Sequence, residues 1–572
     1  MTAAPADSAG QFALILHTHL PFVLGHGRWP HGSDWLHEVV AGSYLPLLQA
    51  LAEADAAGVR VRITADVSPV LAEQMASAAF RREFEEFIRT RLHWAQDNVR
   101  HFDASGDARL AALARRWEQW YRERLRQFED AGGDVVGLFR RLADREVAEL
   151  MTCAATHGYL PLLGRDESVA LQLGVAVSTH ARHFRRHPEG VWLPECAYRP
   201  RYEWTPPVGP QRGRVRVQRR GLEEFLAEFG LHHFVTDIHL IRGGSSLSPY
   251  RDYYPALQAL PAAVPSLSRP DRSPYRAYRV ASRGGRGEAA ALVRDPDTSL
   301  QVWSRDRGYP GDGWYLEFHK KHPGGLRYWR VTGAGVGLES KEVYEPDRAA
   351  QRVAEHADHF VGLLRTVLDA ARQIEGDAAV VASPFDTELF GHWWFEGPAW
   401  VEAVFRRLGP SGVVPVRADE YLRAHPPEQV VSLLEGSWGE GGDHRVWLNQ
   451  NTAWVWERVY AAEETFWTLA RRVPPGASTA RRVLAQLARE LLLLQASDWP
   501  FLITTWAARD YAEARVADHA AAFSRLSGTL QTLLGGAELS RRDEEFLTAR
   551  ETLNALFPDV LEQVDRACAT AA

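Results

Sequence analysis

The residues best suited to chemistry lie in one stretch, Val380 to Trp400, where a short apolar run leads into carboxylates, a histidine and tryptophans. Asp386 stands just past the run, which has the length and β-branched content of a buried strand. Tryptophans beside carboxylates suit a sugar, because the flat ring covers a sugar face while the acids handle hydroxyls and the glycosidic oxygen. Taken alone, the segment is explained better by a helix start, with Asp386 as its cap and the tryptophans as core.

The same arrangement recurs, because five strand-like runs along the chain end in ionisable residues. Capping explains one or two of these residues, since Asp favours helix starts, but it explains His157 and Glu195 less well. Helical segments separate the runs, so the pattern predicts a parallel α/β barrel with its site at the carboxyl ends of the strands. The residues that end the five runs are His17 with His19, His157, Glu195, Asp237 and Asp386.

The segments around these runs differ in character, and the differences predict a domain organisation. Residues 69–147 contain long, charged helical segments and are predicted to be a helical insertion. Residues 241–290 are rich in Gly, Pro, Ser, Arg and Tyr, which predicts a long loop or lid. Leu300 to Trp303 resembles a further strand that ends in tryptophan. Residues 431–572 are predicted to form a C-terminal helical domain that contributes to the site, which leaves 1–430 for the catalytic barrel.

The composition argues against several classes of function. A chain of 572 residues with 45% hydrophobic and 24% charged residues is typical of a soluble globular protein, and no apolar run approaches membrane-spanning length. The net charge of -7 argues against a nucleic-acid partner. Three cysteines without CxxC spacing predict neither a disulfide framework nor a structural zinc site. The sequence has no phosphate-binding loop pattern, so it does not predict a nucleotide cofactor. Because Met1 to Gln11 lacks a basic residue and the apolar run behind it is short, we expect a cytoplasmic protein, with a monomer as the default.

Cleavage of a glycosidic bond needs two carboxyl groups, one that protonates the departing oxygen and one that acts as nucleophile or as base for water. Glu195 and Asp386 are the best candidates, because each follows a strand-like run inside an aromatic-rich segment. The acid must stay protonated near neutral pH, which requires apolar surroundings or a nearby negative charge. We expect Trp393 and Trp394 to provide such surroundings for Asp386.

At these residues the chain resembles glycoside hydrolase family 57, and within it the glycogen branching enzymes. The matching segments run from residue 12 to about residue 515 in the family's order, so they span nearly the whole chain. These segments are His17-Thr-His-Leu-Pro, Ala155-Thr-His-Gly-Tyr, Trp192-Leu-Pro-Glu-Cys-Ala-Tyr, Phe234-Val-Thr-Asp-Ile-His, Val302-Trp-Ser-Arg, Ser383-Pro-Phe-Asp-Thr-Glu-Leu-Phe-Gly-His-Trp-Trp, Gly436-Ser-Trp-Gly and Ser497-Asp-Trp-Pro-Phe.

The resemblance implies an α/β fold, a distorted (β/α)7 TIM-like barrel with a helical insertion and a C-terminal all-helical domain. It implies a retaining double displacement on an α-glucan such as amylose or glycogen, with Glu195 as nucleophile and Asp386 as general acid/base. The 6-hydroxyl of a second glucan chain would then attack the glycosyl-enzyme and form an α-1,6 branch, with no metal or nucleotide cofactor. The substrate-binding residues implied by the family are His17, His19, His157, Asp237, Trp303, Trp438, Trp447 and Asp498.

The chain departs from the family pattern in three places. Thr18 and Phe22 stand where branching members commonly carry Ala and Tyr, and both changes are mild. Pro206 to Arg220 looks like an insertion. Branching members use a tyrosine on a mobile loop, for which Tyr275 is our candidate. Its competitors in the same stretch are Tyr250, Tyr253, Tyr254 and Tyr278.

Two other functions remain open at this point. The first, on the same fold, is an α-glucan hydrolase or 4-α-glucanotransferase, which would shorten amylose without forming α-1,6 linkages. The second is a metal-dependent amidohydrolase or deacetylase, because a strand-end His-x-His is also a metal-binding pattern. Its ligands would be His17, His19, His157 and Asp386.

Overall fold

The computed structural model of the protein describes residues 9–244, 246, 253–261, 272–304 and 308–570. Five of the twelve strands among these described residues are fully buried runs without alternation, as expected where both faces of a parallel sheet are covered. The strands are β1 (Gly10–Thr18), β2 (Ile63–Val67), β3 (Ala148–Cys153), β4 (Gly190–Trp192), β5 (Tyr202–Trp204), β6 (Val217–Arg219), β7 (His233–Thr236), β8 (Tyr278–Val280), β9 (Ala289–Val293), β10 (Val380–Asp386), β11 (Val413–Pro415) and β12 (Val430–Val431).

Seven parallel strands form the ring of a barrel, in the order β10, β1, β2, β3, β4, β7 and β9. One bridge between Arg294, which follows β9, and Ala382 of β10 closes the ring. Three further strands extend the sheet, since β11 pairs with β1, β8 runs antiparallel to β9, and β12 pairs with β8. The hairpin of β5 and β6 stands apart from this sheet.

Helices follow the ring strands and build the rest of the molecule. The first group is α1 (Ser33–Val39), α2 (Leu45–Ala56), α3 (Pro69–Ala76), α4 (Ala78–Ser105), α5 (Ala108–Asp130), α6 (Val135–Asp144), α7 (Asp166–Phe184), α8 (Leu222–Glu228), α9 (Ile238–Arg242) and α10 (Pro296–Trp303). The second group is α11 (Pro346–Glu375), α12 (Gly397–Ser411), α13 (Ala418–Ala424), α14 (Ala453–Ala470), α15 (Ser478–Leu494), α16 (Asp498–Thr505), α17 (Arg509–Leu534), α18 (Arg541–Leu553) and α19 (Val560–Thr570).

Local sequence explains where the long helices begin and end. Helix α4 starts at Ser77, whose side chain accepts a hydrogen bond from the amide of Phe80, and it ends at Gly106 in the left-handed conformation. Asp107 then caps α5 through the amide of Leu110. The two helices pack against each other with their aromatic faces inward, so the charged stretch after β2 is helical as predicted. Among the described residues, no helix combines the length and apolar character that crossing a membrane requires.

The prediction of a strand at Leu300 to Trp303 is wrong, because these residues belong to α10. Pro296 occupies the first turn of this helix, and Asp295 caps it by accepting a hydrogen bond from the amide of Thr298. The strand that belongs at this place in the ring is β9, which lies at the end of the stretch predicted as a loop. Its alanine-rich sequence lacks the β-branched content by which the other strands are recognised.

Candidate active site

The strand register brings two candidate residues, His17 and Asp386, and a further carboxyl, Asp66, to one level at the carboxyl ends of the barrel strands. His17 on β1 is paired with Asp386 on β10 on one side and with Asp66 on β2 on the other. The His17 ring nitrogens contact the Asp66 carboxyl at 2.9 Å (Nδ1 to Oδ1) and Nε2 of His157 at 3.0 Å. The expected convergence of strand-end residues therefore occurs, because parallel neighbours in this register end together.

The three histidines form a stacked cluster whose members differ in charge. Burial lowers the pKa of both His17 and His157 well below the ordinary value, so both rings are neutral at pH 7. Burial acts in the same direction on His19, but the carboxylate of Asp498 at 3.1 Å outweighs it and raises the pKa of this ring. His19, hydrogen-bonded to Asp498, therefore holds a proton more readily than the two neutral imidazoles beside it.

Glu195 lies in a tight turn, Pro194–Cys196, directly after β4. Its backbone is left-handed (φ 62°), as is that of His157 (φ 56°), and such conformations in non-glycine residues cost of order 1–3 kcal/mol. The Glu195 carboxyl accepts hydrogen bonds from the indole of Trp438 (2.9 Å) and the hydroxyl of Ser497 (3.2 Å). Burial raises its pKa to about 7 despite these two donors. Two donors therefore fix this carboxylate in a strained turn beside the cluster.

Asp386 is a partly buried carboxyl with other carboxyls as neighbours. Its pKa is raised well above the ordinary value, first by burial and then by the negative charges of Glu388, Glu195 and Asp66. Trp393 and Trp394, which were predicted to provide apolar surroundings for Asp386, make other contacts in the structure. Trp394 packs in an aromatic core with Phe390 and Trp400, and Trp393 is 37% exposed. Asp386 therefore remains a proton-bearing acid because of burial and neighbouring charge.

The predicted substrate-binding aromatic residues divide between the surface of the site and its support. Trp438 contacts Glu195 directly. Trp303 lies 6.4 Å from the exposed Trp393, measured between ring centroids. Trp447 is fully buried and stacks on Tyr159 at 4.6 Å, which makes it a support for the loop of Trp438.

Asp237 is placed in the site wall with both carboxyl oxygens occupied. One oxygen accepts the amide of Ile238 at 2.7 Å, and the other accepts Nη1 of Arg294 at 3.2 Å. Burial alone would raise the pKa of Asp237, but the Arg294 guanidinium outweighs burial and lowers it. That guanidinium also lies over the ring of Trp438 at 5.8 Å. Asp237 thus holds Arg294, which in turn covers the tryptophan that contacts Glu195.

A model of glycosyl hydrolase family 57 matches residues 13–433, well over half of the chain. The chain belongs to this family. A second model, of the C-terminal region of 1,4-alpha-glucan branching enzymes, matches residues 458–564. A 1,4-alpha-glucan branching enzyme from Thermococcus kodakarensis is 39% identical over 523 residues, which cover 91% of this chain and 74% of that protein. A probable 1,4-alpha-glucan branching enzyme from Mycobacterium tuberculosis is 31% identical over 95% of this chain and 96% of its own length.

Three solved structures have the same fold, and two of them are family 57 branching enzymes. The branching enzyme of Pyrococcus horikoshii has a TM-score of 0.87 at 37% identity, with 97% of each chain covered. The branching enzyme of Thermococcus kodakaraensis, solved with glucose, has a TM-score of 0.88 at 37% identity over 97% of this chain and 96% of that one. An alpha-amylase from Thermotoga maritima follows with 0.79 at 27% identity over 97% and 99%. The predicted family and its distorted (β/α)7 barrel with C-terminal helices are confirmed.

The structure of this family 57 protein does not bring Tyr275 to the site. The carbonyl of Tyr275 accepts the amide of Val380 (3.0 Å), the first residue of β10, at the end of the strand opposite to Asp386. Tyr254 lies near the site instead, since the charges of both Asp386 and Glu195 contribute to raising its pKa. Of the other competitors, Tyr253 donates to the carbonyl of Trp303, Tyr278 lies in β8, and Tyr250 falls outside the described residues.

Four residues of the site were not among the catalytic or substrate-binding candidates, although Glu388 was interpreted from the sequence as a helix cap or a support for Asp386. Ser497 directly precedes Asp498 in a segment that carries the family resemblance, so its position could have indicated it. Asp66 follows a strand-like run, as the chosen residues do, but the sequence does not show that β2 lies next to His17. Glu388 accepts the amide of His19 (3.2 Å) and the hydroxyl of Tyr44, and burial raises its pKa to about 7. Arg294 had no such signal, because β9 was read as part of a loop.

The same cluster contains the three histidines of the metal-site alternative. Two groups of described residues have ligand atoms within 4.8 Å of one another: His17 with Cys153 and His157, and His19 with His157 and Asp498. All six ring nitrogens of the three histidines already have a protein hydrogen-bond partner. Asp386 belongs to neither group. A bound metal would have to displace several of these contacts.

Proposed function

We propose that the protein is a 1,4-α-glucan branching enzyme, which cleaves an α-1,4 bond and transfers the chain to a 6-hydroxyl. The observation that carries the proposal is the pair of partly buried carboxyls, Glu195 and Asp386, at the carboxyl ends of β4 and β10 in a chain that is similar to branching enzymes through both parts. The proposed substrate is an α-glucan such as amylose or glycogen.

Glu195 serves as the nucleophile in this proposal. Its carboxylate has two fixed donors, Trp438 and Ser497, which hold it in one orientation for attack on the anomeric carbon. With a pKa of about 7 it is partly ionised at neutral pH and becomes fully ionised above it. Once Glu195 is bonded to the anomeric carbon, Trp438 and Ser497 donate to the oxygens of the resulting glycosyl ester.

Asp386 serves as the general acid and then as the base. Burial and three neighbouring carboxyls keep it protonated, so it can protonate the departing glycosidic oxygen while Glu195 attacks. After departure Asp386 is ionised and can take the proton from the incoming 6-hydroxyl. The same acid therefore works in both half-reactions, as a double displacement requires.

The histidine cluster binds and orients the sugar in this scheme. His19, together with the neutral His17 and His157, lies beside Glu195, where the cluster would face the hydroxyls of a bound glucose unit. Transfer beats hydrolysis only when water is kept from the glycosyl-enzyme. Tyr254, which packs edge-on against Phe501 at 5.6 Å between ring centroids, is the proposed cover residue.

We also propose the domain division drawn from the sequence: a barrel of residues 1–430 with its insertion at 69–147 and a lid region at 241–290, and a helical domain of 431–572. Trp438, Ser497 and Asp498 come from the second part and contact the barrel's site. The site would then be incomplete without the C-terminal region. A cytoplasmic location and a monomeric state remain proposals from the sequence.

The second candidate is hydrolysis of α-glucans, which the likeness to the Thermotoga maritima alpha-amylase favours. Incubation with amylose separates the two functions, with proton NMR of α-1,6 linkages and a reducing-end assay followed together. Branching gives new α-1,6 signals with few new reducing ends, and Glu195→Gln abolishes both. New reducing ends without α-1,6 signals would make the protein a hydrolase. An unchanged amylose would contradict both functions.

A further inference from the structure

Four hydrogen bonds connect a buried carboxyl, Asp66, to the proposed nucleophile, Glu195. They run from Asp66 Oδ1 to His17 Nδ1 (2.9 Å), from His17 Nε2 to His157 Nε2 (3.0 Å), from His157 Nδ1 to Ser497 Oγ (2.7 Å), and from Ser497 Oγ to Glu195 Oε1 (3.2 Å). Each bond needs one hydrogen, so the chain can carry its hydrogens in one of two directions.

The direction is fixed by the donors available at each step. A neutral imidazole has one N–H and one acceptor nitrogen, and a serine hydroxyl has one hydrogen. When Glu195 is ionised it only accepts, so Ser497 donates to it and must accept from Nδ1 of His157. Nε2 of His157 then accepts from Nε2 of His17, which leaves Nδ1 of His17 as an acceptor. Its partner, Asp66, must supply the hydrogen and must therefore be protonated.

The surroundings of Asp66 agree with the protonated form. The side chain is completely buried, and its second oxygen makes no hydrogen bond of acceptable geometry with any described residue. Burial raises the pKa of Asp66 well above its ordinary value, against the opposing charge of His19 and the amide of Thr18. The titratable groups that face it are His17, His19, Cys153, Tyr44 and Asp386.

The ionised form would reverse every bond in the chain. His17 would donate from Nδ1 to Asp66, His157 would donate to His17, and Ser497 would donate to His157. The Ser497 oxygen would then face the Glu195 carboxylate at 3.2 Å with lone pairs only, which is repulsive. The hydrogen on Asp66 therefore decides whether the nucleophile has two donors or one.

We propose that Asp66 is a positioning residue that acts in its neutral, protonated form and directs the hydrogen bonds of His17, His157 and Ser497 toward Glu195. The proposal rests on the proposed function only in that Glu195 is taken as the reacting carboxylate. It assigns a role to a residue 129 positions away in the sequence, numbered 66 against 195, that contacts neither substrate nor nucleophile.

Nitrogen NMR of the histidine rings tests the direction without any change to the protein that could unfold it. The native chain, labelled on its histidines, should show hydrogen on Nε2 of His17 and on Nδ1 of His157 between pH 7 and pH 8. Single His17→Gln and His157→Gln variants assign the resonances. Hydrogen on Nδ1 of His17 in the native chain would overturn the proposal.

Substitution of Asp66 tests the consequence for the nucleophile. Asp66→Asn keeps an N–H donor toward His17, so its pH profile of kcat/KM should match the native profile, with a rate within about threefold. Asp66→Ala removes the donor, and both it and Ser497→Ala should lower kcat/KM about tenfold and move the acidic limb upward by about one pH unit. The double variant should lose no more than either single variant, because all act through one hydrogen bond.

Two results would contradict this role: a loss in Asp66→Asn as large as that in Asp66→Ala, or losses that add in the double variant. The outcome is separable from the fate of the proposed function. A protein that branches amylose but carries hydrogen on Nδ1 of His17 would leave the function standing and refute the hydrogen-bond direction. A protein that has the expected histidine tautomers but forms no α-1,6 linkages would support the hydrogen-bond direction and refute the proposed function.

Discussion

Two buried charged clusters in this molecule solve the same physical problem in opposite ways. In the C-terminal helices, Glu490 is completely buried and accepts hydrogen bonds from Arg550, His519, Asn554 and Gln486. Burial alone would raise its pKa, but His519 and Arg550 outweigh burial and lower the pKa to about 2. In the active site, Glu195 has two neutral donors and a pKa of about 7.

The difference shows what separates a structural carboxylate from a reactive one. A buried charge that is fully paired is held in its ionised form and is of no use for proton transfer. A buried carboxyl with few donors stays near the balance between its two forms, which is the condition that nucleophiles and general acids need. The two clusters should therefore respond to substitution in opposite ways, with activity lost at one and stability lost at the other.

Removing the proposed nucleophile should have the largest effect. Glu195→Gln should lower kcat on amylose by on the order of 10⁴ to 10⁶-fold, because no covalent intermediate can form. Its thermal midpoint should stay close to that of the native protein, since no buried charge loses its partner. The matched control is Glu463→Gln, which removes another buried carboxyl with a pKa of about 7 outside the site and should keep activity. Equal losses in both variants would contradict the assignment.

Breaking the structural cluster should act on stability instead. Arg550→Ala leaves Glu490 buried without its principal cation, which should destabilise the fold by about 3–5 kcal/mol in urea unfolding, with kcat per folded molecule retained. The control is Arg541→Ala. The Arg541 side chain is 95% exposed and pairs with Glu545 at the surface, so its removal should leave the urea midpoint nearly unchanged. A loss of activity in Arg550→Ala at native stability would contradict the comparison.

The pH dependence of this loss follows from the lowered pKa of Glu490. A carboxylate whose folded pKa lies below its unfolded value of about 4.3 stabilises the fold above that pH. The contribution is lost as pH falls toward the folded pKa of about 2. The stability difference between the native protein and Arg550→Ala should therefore shrink between about pH 4.3 and pH 2. A difference that stays constant across this window would show that packing, not charge, is lost.

The hydrogen bond that the Trp438 indole donates to Glu195 should affect the pH profile of kcat/KM. Trp438→Phe removes a hydrogen bond to ionised Glu195, so the pKa of Glu195 should rise and the acidic limb of kcat/KM should move up by about one unit. Trp447→Phe is the control, because the Trp447 indole nitrogen is buried with no hydrogen-bond partner among the described residues. An acidic limb that moves equally in both variants would indicate general loosening of the loop.

The smallest expected effect concerns the acid. Glu388→Gln removes a negative charge beside Asp386, which makes ionisation of Asp386 easier and lowers its pKa. The alkaline limb of kcat/KM should therefore fall by about half a unit. Glu396→Gln changes a comparable buried carboxyl, bonded to Tyr344 and the amide of Leu316, and should leave that limb in place. An alkaline limb that stays in place in Glu388→Gln would show that the charge of Glu388 does not raise the pKa of Asp386.

The parts of this site that could be predicted from the sequence are those that follow an apolar run. His17, His157, Glu195 and Asp386 stand at strand ends, and a parallel barrel brings strand ends together whatever the loops do. The missing strand, β9, was hidden because alanine is depleted in strands and favours helices. The register of neighbouring strands decides which residues face each other, and a local sequence pattern does not contain that register. Asp66 was therefore visible as a strand-end residue and invisible as the partner of His17.

The loop tyrosine illustrates a different limit. Tyr275 and Tyr254 have the same chemistry and lie in the same irregular stretch, so composition cannot rank them. Their places are decided by contacts with distant residues, Val380 for one and Phe501 for the other. The interpretation of Trp447 as a groove residue met the same limit, because a tryptophan in a glycine-rich loop can face the groove or the core.

The way the barrel closes has a consequence for its motion. Neighbouring ring strands share from two to seven residue pairs, but β9 and β10 are joined by one bridge, at Arg294. Local opening of a short ladder costs less than opening of a long one, so the wall should fluctuate most at this seam. Because Arg294 also binds Asp237 and covers Trp438, each opening disturbs the donor to Glu195. Fluctuation of the barrel wall and ionisation of its nucleophile are thus coupled through a single arginine.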